Sequence, residues 1–72
     1  MSNVDGAPEQ ELVPVVLGDG NAFAILGACR KAAREAGWSR EEWDRFLGEA
    51  TSYDYDHMLL TVMRRFDVEL GY

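Results

Sequence analysis

"VVLGDGNAFAILGA", residues 15–28, decides how the rest of the chain is read. Val15, Val16 and Leu17 complete an apolar, β-branched run, Leu12 to Leu17, that is too short for a helix and reads as a strand. Pro14 within it removes a ladder donor, which sets the strand at a sheet edge or restricts its pairing to one side. After the break at Gly18-Asp19-Gly20-Asn21 the apolar spacing becomes helical. Asn21 is a natural N-cap and Gly37 a C′ stop, which brackets a helix over about Ala22 to Ala36. At ~100° per residue, Ala22, Ile25, Leu26, Cys29, Ala32, Ala33 and Ala36 share an arc of about 120°. The face is made mostly of small side chains, so another element can approach closely and Cys29 serves as a small hydrophobe.

Downstream, Ser39 and Glu42 have the spacing of a capping box, and Trp38 and Trp43 stand at the two positions of a hydrophobic staple. Trp43, Phe46, Leu47 and Ala50 continue that helix at i, i+3, i+4 and i+7. Thr51-Ser52 ends it. A third helix is expected from Tyr55 to Arg65, capped by Asp54 or Ser52, with Tyr55, Leu59, Val62 and Phe66 as its stripe, widened by Met58 and Met63. Asp54 and Asp56 near its start and Arg64 and Arg65 near its end complement the helix dipole. The closing "RFDVELGY" alternates Phe66, Val68 and Leu70 with Asp67 and Glu69, the period of a strand with one buried face. The expected fold is therefore α+β: a small β-α-α-α-β domain over residues 12–72, three helices packed on a two-stranded sheet. Alternation alone leaves the pairing of the two strands open as parallel or antiparallel. Residues 1–11, "MSNVDGAPEQE", are polar and acidic and read as a disordered lead-in.

With 72 residues and one cysteine, the chain has no internal disulfide to support a small core. One histidine beside that cysteine argues against a zinc centre, so no metal and no cofactor is expected. That leaves unusually good packing or self-association, and self-association is favoured, because two strands with free edges supply a route to a homo-oligomer. A hydrophobic share of 47% argues for a folded chain, and a net charge of −6 argues against nucleic acid as the partner. No apolar stretch is long enough to cross a membrane and no signal peptide is visible. Together with the unpaired thiol, this points to the cytoplasm.

Three constellations bear on function. In GDGN, backbone N–H groups around Gly20 and Asn21 at a helix start could hold an anion. The loop lacks P-loop residues and Asp19 opposes an anion, so a turn in which the glycines supply positive φ takes precedence. Phe23, Gly27, Arg30 and Arg34 line the side of the first helix opposite its alanine face, a surface suited to a partner or a planar anion. The competing reading packs Phe23 inside and leaves the arginines solvated. In "TSYDYDHM", Asp54, Asp56 and His57 sit on adjacent positions that do not converge, so capping aspartates and a surface histidine are expected there, not a catalytic set.

"DGNAFAILGACRKAAREAG" and "FLGEATSYDYDHMLLTVMRRFDVEL" resemble small uncharacterised proteins found widely in bacteriophages and actinobacterial genomes. The resemblance spans roughly residues 15–70 and departs at Tyr53, where glycine is the commoner residue. It implies a phage-type or mobile-element accessory protein acting in a bacterial host cell, and it carries no catalytic residue over. The expectation is a non-enzymatic oligomer that binds and modulates or inhibits a host protein, such as a defence or regulatory factor. Its contact residues would be Phe23, Arg30 and Arg34, or the acidic second helix with Glu41, Glu42, Asp44 and Glu49. The alternative is an oligomeric sponge that sequesters a nucleotide-type anionic small molecule at the seam between copies, held by backbone donors near Gly20 and Asn21 with Arg30 and Arg34.

Overall fold

The computed structural model describes residues 12–71; the lead-in expected over residues 1–11 lies outside them. The order is β1 (Val13–Leu17), α1 (Ala22–Glu35), α2 (Arg40–Ala50), α3 (Tyr55–Arg65) and β2 (Phe66–Leu70), the α+β arrangement expected. The two strands pair in parallel, from Val13 opposite Phe66 to Leu17 opposite Leu70. Parallel neighbours need a long crossover, and here all three helices form it.

Each helix starts on a side-chain cap. Asn21 accepts from the Phe23 N–H, Ser39 from the Glu42 N–H and Asp54 from the His57 N–H. At the end of α1, Gly37 turns with φ of 90°, and the N–H groups of Gly37 and Trp38 reach the carbonyls of Arg34 (3.1 Å) and Ala33 (3.0 Å). This paired closure is a Schellman motif, and it turns the chain so that Trp38 and α2 fold back toward the helix they follow. The reciprocal arm of the expected capping box goes elsewhere. Glu42 directs its carboxylate to Arg65 at the end of α3, so it joins two helices instead of closing its own.

The core is built from Val15, Leu17, Ile25, Cys29, Ala33, Trp43, Phe46, Ala50, Met58, Val62 and Phe66. Its centre is aromatic: Trp38 stands 5.2 Å from Phe66, Phe46 5.3 Å from Phe66, and Trp43 5.3 Å from Phe46, ring centre to ring centre. Arg65 covers the Trp38 ring at 4.3 Å, a cation–π contact on the outer side of this cluster.

Several expectations need correction. Ala36 is the C-cap of α1 and is exposed, so the alanine face ends one turn earlier at Ala33. Leu12 precedes β1 and is exposed. The inward side of α3 is Met58, Thr61 and Val62, while Met63 is 52% exposed and Tyr55 lies at the surface. Thr61 can be buried because its hydroxyl donates to the His57 carbonyl at 2.8 Å, which removes the cost of an unpaired polar group. On β2 the buried alternation fades toward the end, and Leu70 is 62% exposed. In the GDGN loop neither glycine has positive φ; among the described residues only Gly37 does.

Candidate functional site

Side chains, not glycine geometry, shape the loop after β1. The Asp19 carboxylate accepts from the Asn21 N–H at 2.9 Å, and the Asn21 side chain accepts from the Phe23 N–H at 2.9 Å. The Gly20 carbonyl receives the hydroxyl of Tyr55 from the start of α3. Donors that an incoming anion would need at Asn21 and Phe23 are thus already engaged, with Asp19 standing where the anion would. Asn21 and Arg30 are nine residues apart, roughly 13 Å along the helix axis. Gly20 and Asn21 therefore do not join Arg30 and Arg34 in one pocket.

Phe23, Gly27, Arg30 and Arg34 do share the outward side of α1, and all four are exposed. Phe23 is 86% exposed, so it is a surface residue and not a core one. A Cβ built on Gly27 meets no atom within 4 Å. A shallow depression runs along this side past Gly27, Arg30, Lys31 and Arg34.

Arg30 and Arg34 also form one wall of a cleft of about 250 Å³ between α1 and α2. The other side is supplied by Trp38, Arg40, Trp43 and Leu47, with Asp44 among the lining residues. Gly37 creates this cleft, because the Schellman turn brings the start of α2 beside the end of α1. Arg40 and Asp44 approach to 3.8 Å, but the two side chains are 91% and 62% exposed. Such a surface pair contributes little and leaves Arg40 free to engage another group. Trp43 is 8% exposed, and its indole N–H is buried with no acceptor among the described residues. Sequence reasoning found Arg30 and Arg34 but missed this role for Arg40, Trp38 and Trp43. The two tryptophans carried a signal, since a staple places both at the junction of the helices.

His57 joins the end of α2 to the start of α3. Its Nε2 lies 2.8 Å from a Glu49 carboxylate oxygen, 3.1 Å from the Glu49 carbonyl and 3.4 Å from the Ser52 hydroxyl. The histidine is half-buried, a fastener between helices instead of the loose surface residue expected. Asp54 does cap α3, as expected. Among the described residues, no three His, Cys, Asp or Glu side chains gather closely enough to hold a metal ion. No helix among them is long and apolar enough to cross a membrane.

Cys29 is fully buried on α1, and burial pushes its thiol up from 9.0 to about 11, because a thiolate there would lose its hydration. A raised thiol pKa favours the folded state while the group is protonated. The contribution is whole below pH 9.0 and is lost as pH rises through about 11. Thiol-labelling reagent at about pH 8 is expected to react slowly with native protein and rapidly once urea unfolds it. Equal rates in the two states would place Cys29 outside the core.

Comparison with protein-family models, curated proteins and solved structures finds no match for this chain.

Proposed function

We propose that the protein is a non-enzymatic binding module, a phage-type accessory protein that engages and modulates a host protein through the outer side of α1 and the adjoining cleft. The observation that carries this reading is that an exposed aromatic, Phe23, shares the outward side of α1 with two exposed arginines, Arg30 and Arg34, which also wall a cleft. Aromatic and arginine anchors surrounded by lesser contacts are how protein interfaces concentrate their energy. The cleft, about 250 Å³, accommodates a single anchoring side chain of a partner. Cys29, the sole candidate thiol nucleophile, is held protonated in the core, which favours binding over covalent chemistry.

Arg30→Ala combined with Arg34→Ala is expected to abolish capture of the host protein while leaving the melting temperature nearly unchanged. Exposed substitutions of this kind usually alter stability by under ~0.5 kcal/mol. A double variant that unfolds, or that captures the partner as well as the wild type, overturns the assignment. The three arginines of the cleft also favour a second reading, the anionic small-molecule sponge. That reading gains if a nucleotide panel raises the melting temperature strongly, since ligand at ~100 times its Kd adds ~2.7 kcal/mol.

Self-association belongs to the same proposal. Among the described residues both strands keep one unpaired edge in a two-stranded sheet, and unpaired edges are templates for a further strand. Sedimentation at micromolar concentration should show more than one copy per particle. A stable particle of 8.1 kDa would refute it.

A further inference from the structure

We infer that the cleft between α1 and α2 is a carboxylate-anchoring site, which receives an acidic side chain flanked by apolar residues on the partner protein. This rests on the binding-module reading and names what that module recognises. Three arginines, Arg30, Arg34 and Arg40, meet there with a single opposing carboxylate, Asp44. The lining therefore has a formal excess of positive charge on a chain whose net charge is −6. Guanidinium groups match carboxylates in a two-point geometry.

The second observation is independent of the arginines. Trp43, more than nine-tenths buried, lines the cleft together with Trp38, Leu47 and Ala33, an apolar lining for the residues beside the acid. The Trp43 indole N–H is closed off from solvent, so the arginines alone supply the donors to an entering carboxylate. Asp44 argues against a doubly charged phosphate, which it would repel more than a single carboxylate.

Trp38 and Trp43 are the only tryptophans in the chain, so binding in the cleft reports itself in tryptophan fluorescence. The experiment titrates the full-length protein with a blocked pentapeptide, acetyl-Ala-Leu-Glu-Leu-Ala-amide, and with its glutamine counterpart. Inorganic phosphate is titrated in parallel. The glutamate peptide is expected to produce a saturable change and to bind about tenfold or more tightly than the glutamine peptide, the scale of one charged hydrogen bond. Arg34→Gln should remove most of that preference. Arg40→Gln, on the opposite wall, should weaken the glutamate peptide several-fold while both tryptophans still report. A melting curve for each variant confirms that it is folded.

Equal binding of the two peptides, no saturable response, or an unchanged preference in folded Arg34→Gln overturns the inference. So does phosphate binding more tightly than the peptide. Failure here is separable from failure of the binding-module reading. If Phe23→Ala reduces capture of the host protein while Arg40→Gln does not, the outer side of α1 is the contact and the cleft is not.

Discussion

Phe66→Ala is expected to bring the domain to the edge of unfolding, with a loss of about 3–5 kcal/mol. Phe66 is 1% exposed and the largest of the fully buried side chains. It also does several structural jobs at one position. Its ring meets those of Trp38 and Phe46, its N–H reaches the Val62 carbonyl to close α3, and its backbone opens β2 opposite Val13. Alanine keeps the backbone bonds but empties the centre of the aromatic cluster. A domain of this length has only about 4–11 kcal/mol in total, so the loss is a large share of it. Urea denaturation measures it directly. A shift worth under ~1 kcal/mol would mean that the ring is not packed as described.

Trp43→Ala is the second large effect, expected near the lower end of ~3–5 kcal/mol. Trp43 contacts Phe46 and stands 6.4 Å from Trp38, so its removal opens a cavity on the α2 side of the cluster. The unpaired indole N–H works in the opposite direction. Deleting it removes a desolvation penalty of about 1–3 kcal/mol, which offsets part of the lost packing. Trp43→Phe separates the two contributions, because it keeps much of the ring and removes the donor. Its midpoint should lie close to that of the wild type. If phenylalanine costs as much as alanine, the indole N–H is not an unpaired donor.

What was legible in the sequence is mostly what is local. Asn21 and Ser39 cap their helices as read, and Asp54 is the one of the two candidates, Asp54 and Ser52, that caps α3, because a cap needs only a side chain and an N–H two or three residues away. Gly37 was legible for the same reason, since a left-handed C′ position selects glycine. On α3, Met58, Leu59, Val62 and Phe66 were legible, but Thr61 was missed because it is polar by composition and satisfied by its own helix, which no hydrophobic pattern registers. Parallel pairing could not be read either, since Phe66, Val68 and Leu70 alternate identically in both directions. The cleft escaped notice because its walls come from two helices whose relation is fixed by a turn. Arg30 and Arg34 could be placed on a face of α1, but Arg40 could not be placed opposite them.

The parallel pairing of β1 with β2 governs the order in which this chain can assemble. Val13 and Phe66 meet across about 50 residues, so the sheet closes the longest loop in the domain and meets the greatest chain-entropy cost. Contacts between α2 and α3 span far shorter separations: Glu49 holds His57 and Glu42 holds Arg65. These helices can pair while both ends of the chain are still searching, and the strands close afterwards on a surface already formed. Opening follows the reverse path. The seam between the strands is then the first place where the molecule comes apart, and a free strand edge there is what a second copy would meet.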